Sequence, residues 1–292
     1  MIVPQALTTD TPAECLVCGS MEPAAPLYRG IVRCGACGHV SADMRLTDEE
    51  LFALYNEQFF TGAAYSDYTA DERLLRKNFR LRFRELENFL DPQRHKRLFE
   101  IGSAYGFFLD EVRDKFGAVQ GIDVTDGGVA YAREQLGLNV VQGNFLTYQY
   151  GAQKFDVVCL WDTIEHLRSP DRYLEKIAAH TDAGALLAIT TGDIQSINAR
   201  LRKGQWRMIH PPIHLHYFAP QTLTRLLERH GFNVVYNRYC GFYRSFGNVV
   251  YNVLVLRHQR PWLFRQLERI GLANWGFYLN LYDIMYVIAR RR

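Results

Sequence analysis

Four cysteines near the N-terminus of this 292-residue chain have the spacing of a metal site. Cys15 and Cys18 form one Cys-x-x-Cys pair and Cys34 and Cys37 form another, in a C-x2-C-x15-C-x2-C pattern. Four thiolates at this spacing suit a tetrahedral zinc ion, and a closed set of four leaves no open coordination position. The pattern therefore predicts a small zinc ribbon over residues 13–45 with a structural Zn²⁺. A redox pair and a small iron–sulfur site are the alternatives.

A second stretch, RLFEIGSAYGFFLDEV at 97–112, has the shape of a nucleotide-binding turn. An apolar strand runs into Gly102, and a helix opens near Gly106. Glycines in such a turn allow the backbone to approach a nucleotide closely. The turn is one glycine short of the dinucleotide fingerprint G-x-G-x-x-G, and Tyr105 would crowd a pyrophosphate. A tight strand-to-helix turn also needs glycine for steric reasons alone.

Polar residues stand at the ends of several predicted strands. Asp123 ends the strand in QGIDV, about 20 residues beyond the turn, where a carboxylate accepts hydrogen bonds from two ribose hydroxyls. Glu100 stands just before the turn. Asn144 and Phe145 follow the third strand, where an amide can meet the edge of an adenine and an aromatic ring can stack on it. These positions favour a nucleotide site at the glycine turn.

Alternating strands and helices have to position these residues. The predicted strands cover residues 97–102, 118–124, 138–143, 155–162, 185–191, 232–239 and 282–290. The predicted helices lie near residues 105–116, 126–136, 170–180 and 220–230. Such units indicate an α/β fold whose mostly parallel sheet is covered on both faces and binds ligands at the carboxyl ends of its strands. Two insertions, 192–219 and 240–281, interrupt the alternation and are candidate lids or substrate walls.

Residues 46–94 are predicted to form a helical linker or cap. Thr47 and Glu50 have the spacing of a capping box at the start of a short helix. Apolar residues at steps of three and four between 70 and 90 predict a longer amphipathic helix, which ends before Pro92.

Three motifs in order resemble those of the class I S-adenosylmethionine-dependent methyltransferases. They are FEIGSAYG, GIDVTDGGVAYARE and FDVVCLWDTIEHLRSPDRYLEKI, and the resemblance covers roughly half of the chain. It is closest to the small-molecule and polysaccharide-associated branch. It implies a Rossmann-like, seven-stranded sheet whose last strand runs antiparallel, within a methyltransferase domain over 95–292. The chain departs from the family pattern at Ala104, where a glycine is usual, and at Asn144, where an aspartate is usual.

The resemblance implies S-adenosylmethionine as cofactor. The residues expected to bind it are Glu100, Gly102, Ser103, Tyr105, Gly106, Asp123, Val124, Asn144, Phe145, Trp161, Asp162 and Tyr68. Asp123 is assigned to the ribose, and Glu100 with the backbone amides of the turn is assigned to the amino-acid end. Tyr65 and Tyr68 resemble family positions that close over the cofactor. The protein would hold an electron-rich atom in line with the sulfonium methyl group, and a base would help where that atom is a hydroxyl oxygen.

Two histidines are candidates for this base, because imidazole titrates near neutrality. His166 follows the fourth strand, next to Glu165, and in the resembled family such a pair often shapes the site. His214 lies in IHPPIHLHYFAP, 209–220, where two prolines exclude a helix and a similar stretch occurs in polysaccharide-associated members. Either histidine could instead pack or hold its loop. A metal site made by the three loop histidines at 210, 214 and 216 is a further alternative, although no nearby carboxylate completes it.

The acceptor is predicted to be a small molecule, a sugar or glycan hydroxyl, with a sugar carbon as the alternative acceptor atom. Trp206 could stack on a sugar and Arg207 could bind an anion, or both could pack a lid. An RNA methyltransferase is one rival prediction, and a nonenzymatic binding module on the same fold is another. A net charge of +3 does not demand nucleic acid, and the ribbon segment has few basic residues, so we expect no nucleic-acid partner.

The sequence is predicted to belong to a cytoplasmic protein. Its first residues lack the basic and apolar regions of a signal peptide, and no stretch reaches roughly 20 apolar residues. Residues 254–275 interleave arginine and tryptophan with apolar residues. They could form an amphipathic helix in peripheral contact with the inner membrane face, a dimer face, or a plain packed helix.

Overall fold

The computed structural model describes residues 14–44, 46–53, 71–251 and 276–292, together with residues 262, 263 and 266. Tyr65, Tyr68 and most of the 254–275 segment lie outside these residues, so the expectations for them stay predictions.

A seven-stranded sheet forms the centre of the molecule, in the order β10-β13-β8-β7-β4-β5-β6. Its strands are β4 Arg97–Ile101, β5 Ala118–Asp123, β6 Val140–Gln142, β7 Phe155–Trp161, β8 Thr181–Gly192, β10 Phe232–Tyr239 and β13 Ile284–Arg291. Strands β4 to β8 are parallel, whereas β13 is antiparallel to both of its neighbours, β8 and β10. The predicted α/β class, the seven strands and the antiparallel last strand are therefore confirmed.

Helices cover both faces of this sheet. The helices that pack on it are α2 Glu72–Glu87, α3 Phe107–Val112, α4 Asp126–Glu134, α5 Pro170–Ala179 and α7 Pro220–Arg229. Two further short helices are α6 Ile197–Arg202 and α8 Phe246–Tyr251. The predicted helix at 105–116 is shorter than expected, because the chain tightens into a 3-10 turn over Arg113–Lys115.

Side chains along the central strands alternate between two apolar layers, as the pleat of a strand requires. In β4, Leu98 packs with the layer that holds α2 and α3, while Phe99 and Ile101 pack with the layer that holds α5 and α7. Glu100 has the same parity as Leu98 and is buried at the end of the strand. The alternation thus brings an acidic side chain into the interior beside the glycine turn.

A smaller sheet of four strands, in the order β1-β2-β3-β9, carries the cysteine pairs. Its strands are β1 Ala25–Tyr28, β2 Ile31–Arg33, β3 Val40–Ala42 and β9 His216–Tyr217. Strand β9 comes from the insertion at 192–219 and pairs antiparallel with β3. The N-terminal segment and the histidine-rich loop are therefore parts of one sheet.

The remaining elements are short. Helix α1 covers Asp48–Ala53, and Thr47 and Glu50 make the reciprocal hydrogen bonds of the predicted capping box, at 2.8 and 3.2 Å. Strands β11 Phe242–Ser245 and β12 Gly276–Leu279 form a two-stranded ribbon. Among the helices of the described residues, none has the length and apolar content that crossing a membrane requires.

Candidate functional site

A cavity of about 560 Å³ opens at the carboxyl ends of the central strands. The glycine turn and the ends of β5 and β7 line one side of it, and the loop that carries His210 and His214 lines the other. Helix α2 contributes Asn78 and Arg82 to a third wall. The site lies where an α/β sheet is expected to bind ligands.

The glycine turn is held against β5 by its own backbone. The N–H groups of Gly102 and Ser103 both donate to the carbonyl of Ile122. Gly102 has a φ of +78°, and a Cβ there would lie 2.6 Å from Oγ1 of Thr163, so only glycine fits. Ala104, the departure from the family pattern, also has a positive φ, of +45°. This conformation costs an alanine about 1 kcal/mol.

Asp123 joins the end of β5 to the turn. Its carboxylate accepts three hydrogen bonds, from the backbone of Ala104 at 2.7 Å and from the backbone and hydroxyl of Thr125 at 2.9 and 2.6 Å. Burial raises the pKa of Asp123, and these hydrogen bonds oppose the rise. Because a carboxylate has roughly four acceptor sites, Asp123 can still accept from a ligand in the cavity.

Glu100 is a buried acid at the same wall. Its Oε2 atom has no hydrogen-bond partner among the described residues. Burial, reinforced by the charge of Asp123, raises the pKa of Glu100 well above its ordinary value. An unsatisfied buried oxygen of this kind is costly unless a bound group supplies a donor.

The predicted cofactor residues divide into two groups. Those that line the cavity are Glu100, Gly102, Ser103, Asp123, Val124, Phe145, Trp161 and Asp162. Tyr105, Gly106 and Asn144 lie behind this wall. Tyr105 packs against Phe107 and Tyr131, Gly106 precedes α3, and Asn144 accepts hydrogen bonds from Leu146 N–H and the Tyr173 hydroxyl.

Arg82 is a cavity residue that the sequence pattern did not single out. Its Nη2 atom donates to Oδ2 of Asp162 at 2.5 Å, and Thr190 donates to the other oxygen at 2.9 Å. Although burial acts to raise it, the pKa of Asp162 is lowered, chiefly by the charge of Arg82. The sequence feature that could have identified Arg82 is its position beside the apolar face of α2, next to the buried Phe83.

Two imidazoles, His166 and His214, line the cavity beyond the end of β7. Nδ1 of His166 lies 3.0 Å from the carbonyl of Ile213, and Nδ1 of His214 lies 2.7 Å from that of Met208. Since a carbonyl only accepts, the neutral ring of His214 carries its proton on Nδ1 and its lone pair on Nε2. His166 also has a hydrogen bond to the backbone of Asp162. Burial lowers the pKa of His166 to about 3 and also lowers that of His214, so both rings are neutral at pH 7.

Glu165 lies close to these rings. Its Oε2 atom accepts a hydrogen bond from the hydroxyl of Thr191 at 2.9 Å, and its Oε1 atom is buried with no partner among the described residues. Burial, followed by the charge of Asp162, raises the pKa of Glu165 to about 8. The ligand atoms of Glu165, His166 and His214 all lie within 4.8 Å of one another.

The three loop histidines considered as a metal site do not come together. His216 is in β9, where its Nδ1 atom lies 3.1 Å from Nε2 of His39. His210 and His214 have ring centroids 6.4 Å apart. A carboxylate does lie close to His214, but it is Glu165, which the linear sequence places 49 residues away.

Trp206 and Arg207 are fixed by one buried acid, Asp283. The indole N–H of Trp206 donates to it at 3.0 Å, and Arg207 donates two hydrogen bonds at 2.8 and 2.9 Å. Trp206 is 1% exposed and packs the lid, so it is not available to stack on a sugar. Arg207 lines the cavity already paired with a carboxylate.

The four N-terminal cysteines form a compact cluster outside the cavity. Sγ of Cys15 lies 3.7 Å from that of Cys37, and the same distance separates Cys18 from Cys34. Disulfide sulfurs would be only about 2 Å apart. Sulfurs around a tetrahedral zinc, with Zn–S bonds of about 2.3 Å, lie roughly 3.8 Å apart. The cluster therefore has the dimensions of a four-thiolate zinc site.

Comparison with known proteins places these features in context. The sequence profile of a family described as "Methyltransferase domain" matches residues 72–237, more than half of the chain. No curated protein sequence matches the chain.

Solved structures are similar to this chain at low sequence identity. A Galdieria sulphuraria protein assigned as a sarcosine dimethylglycine methyltransferase has a TM-score of 0.51 and 18% identity, covering 73% of this chain and 85% of its own. A Bacillus halodurans C-125 protein assigned as a methyltransferase has a TM-score of 0.49 and 11% identity, and the match covers 68% of this chain and 93% of that protein. Magnesium protoporphyrin IX methyltransferase from Synechocystis PCC 6803, solved with bound SAH, has a TM-score of 0.44 and 12% identity, and the match covers 67% of this chain and 74% of that protein.

Proposed function

We propose that this chain, which belongs to the methyltransferase domain family and is an S-adenosylmethionine-dependent methyltransferase, methylates a hydroxyl group of a small molecule of the sugar or glycan class. The observation that carries the proposal is the continuity of one cavity. It joins the wall of Glu100 and Asp123 to the wall of His166 and His214. A donor and an acceptor bound at the two ends would meet between them.

The residues at the turn fit the cofactor. Asp123 accepts from the ribose hydroxyls, and Glu100 supplies a buried oxygen for the ammonium group of the methionine part. Gly102 and Ser103 give the amino-acid end a close approach to the backbone. The cofactor itself supplies an activated sulfonium methyl group. The protein then has to bind the acceptor, orient it and exclude water.

Polar groups of the cavity suit a hydroxyl-rich acceptor. Glu165 keeps a buried oxygen that can accept from a hydroxyl group. Arg82 is paired with Asp162, and Arg207 is paired with Asp283. Arg168, Arg172 and Arg244 also line the cavity, so the lining suits an acceptor that carries a phosphate as well.

His166 and His214 are the proposed catalytic groups at the acceptor end, because both are unprotonated at neutral pH and line the cavity. In the reaction the acceptor R–OH loses its proton, its oxygen forms a bond to the methyl carbon, and the S–C bond breaks with its electron pair left on sulfur. The products are R–OCH3, the neutral thioether and one proton, which leaves to water.

The cysteine cluster is proposed to hold a structural zinc ion. All four sulfurs are directed at one another, so a zinc ion bound there keeps no position for a substrate. His39, two residues after the last cysteine of the cluster, contacts His216 in β9, next to the loop that lines the cavity. The ribbon thus supports the acceptor wall.

The first experiment is transfer of a labelled methyl group from S-adenosylmethionine into a fractionated extract of the source cells by the purified full chain. We expect label in sugars, sugar nucleotides, glycans or lipid-linked sugars, and mass spectrometry then identifies the methylated atom. Label confined to RNA would contradict the proposal and would mean that the ribbon grips nucleic acid. Absence of label from every fraction, with cofactor still bound, would favour a nonenzymatic binding module.

A further inference from the structure

Glu165, His166 and His214 form a cluster of potential metal ligands away from the cysteines. The three side chains come from two segments, the turn after β7 and the loop before β9. Their ligand atoms lie within 4.8 Å of one another, and all three residues line the cavity. None of the three residues is among those assigned to the cofactor.

Only one of the two carboxylate oxygens of Glu165 has a hydrogen-bond partner among the described residues. Glu165 is 2% exposed, and its Oε1 atom has no hydrogen-bond partner among the described residues, while Thr191 satisfies Oε2. A buried polar atom without a partner points to a missing group. A cation bound between Glu165 and the histidines would satisfy it.

The histidines have the surroundings of metal ligands. Metal-binding histidines usually donate the other ring N–H to a carbonyl or carboxylate, which fixes the tautomer and the ring orientation. His166 and His214 both place Nδ1 on a backbone carbonyl, of Ile213 and Met208. The groups that face the cluster from neighbouring elements are Asp162, Thr191 and His210.

We propose that Glu165, His166 and His214 bind a divalent transition-metal ion of the zinc class at the acceptor end of the cavity. Two imidazoles and one carboxylate are the donor set of catalytic zinc sites, in which three protein ligands leave a position for water or substrate. The ligand atoms need to draw together slightly around an ion, since bonds of about 2.0–2.2 Å set their spacing.

This inference rests on the proposed function for its consequence in catalysis. A divalent ion at the cluster supplies Lewis-acid stabilisation to the acceptor oxygen as its proton leaves to water. His166 and His214 then act on the acceptor through the ion. The bonds that form and break in the methyl transfer are those of the proposed reaction, and no further reactant is needed.

Metal stoichiometry tests the site without any acceptor. The full chain, purified without chelator from zinc-supplemented medium, is expected to hold about two zinc ions by mass spectrometry, one at the cysteines and one at the cluster. Glu165→Gln and His214→Ala should each hold about one. His210→Ala, which changes a histidine of the same loop outside the cluster, is the matched control and should keep two.

Cobalt titration of the wild-type chain tests the site independently of the zinc stoichiometry and of how the variants fold. Co²⁺ is added to protein whose cysteine site already holds zinc, and the visible absorption of cobalt is followed. We expect a band without the thiolate charge transfer that cysteine ligands give, and its loss in Glu165→Gln. One zinc per wild-type chain together with no cobalt band would overturn the inference.

Turnover separates this inference from the proposed function. His214→Ala is expected to lose roughly 100-fold or more in turnover while its affinity for S-adenosylmethionine stays within about twofold. That loss in a chain that binds only the cysteine zinc would contradict the metal site and support a free histidine base, leaving the proposed function intact. A second bound metal in a chain that methylates nothing would support the site and contradict the proposed function.

Discussion

Asp123 is the residue on which the proposed cofactor end of the cavity depends. It ends β5, fixes the backbone of Ala104 and exposes part of its carboxylate to the cavity. Replacing it therefore removes a ligand acceptor and loosens the turn at the same time.

We predict that Asp123→Ala weakens binding of S-adenosylmethionine by about 100-fold, because hydrogen bonds to a charged group contribute about 1.5–3 kcal/mol. Isothermal titration calorimetry measures the affinity. Asp126→Ala, in the first turn of α4, is the matched control and should bind normally. Unchanged affinity in the Asp123 variant would remove this residue from the ribose site.

At the residue scale the sequence was informative where a strand end determines the position of a side chain. Asp123 and Glu100 are predictable because the carboxyl ends of parallel strands meet at one edge. Arg82 and Glu165 are less so. Arg82 reaches the cavity from a helix whose docking no local pattern reports, and the partnership of Glu165 with His214 depends on how a distant loop folds back.

Among the elements, β4 and β7 are tied together at their amino ends by Asp156. Its carboxylate accepts from the backbone of Lys96 and Arg97 at 3.0 and 2.8 Å and from the Arg97 guanidinium at 3.0 Å. Burial alone would raise the pKa of Asp156, but the hydrogen bonds from Arg97 and Lys96 bring it below its ordinary value. The tie is therefore a source of stability that acid removes.

We predict that Asp156→Asn lowers the free energy of unfolding by about 1 kcal/mol at pH 7. A depressed folded-state pKa contributes stability above the unfolded pKa, and this contribution is lost as pH falls through the folded value. The difference between variant and wild type at pH 7 should thus shrink at a pH below 3.8, the ordinary pKa of an aspartate, as urea unfolding can measure. Asp182→Asn, an exposed carboxylate near Lys154, should change little. An equal difference at both pH values would contradict the assignment.

Most elements were predictable from apolar periodicity and turn residues, including β10 at 232–239 with its bounds correct. The exceptions depend on tertiary contacts. β9 has two residues and exists only because β3 pairs with it. The helix after the glycine turn ends early, at Val112, although the apolar pattern continues to Phe116.

In the whole molecule, the cysteine cluster is connected by hydrogen bonds to the loop that carries His214. Strand β3 pairs Val40 with Tyr217 and Ser41 with His216, and the N–H of Ala42 donates to Leu215. The N–H of Leu215 in turn donates to the carbonyl of Glu165. A disturbance at the ribbon therefore reaches the acceptor wall through two hydrogen bonds.

We predict that Cys34→Ser, or removal of zinc by a chelator, lowers turnover at least about 10-fold while affinity for S-adenosylmethionine changes little. The cofactor wall is made by other elements, so only the acceptor end should suffer. Turnover and calorimetric affinity are measured on the same preparations. Cys240→Ser, a cysteine outside both clusters, is the control. Normal turnover in a zinc-free Cys34→Ser chain would show that the ribbon is dispensable for catalysis.

The contact between His39 and His216 spans 177 residues of sequence. During synthesis the cysteine pairs precede the central sheet, yet the fourth strand of their sheet, β9, is made only after β4 to β8. The cysteine-bearing segment therefore cannot complete its sheet until five strands of the central sheet have been made. Pairing at such separation also slows folding, since the long loop has to close before the contact can form.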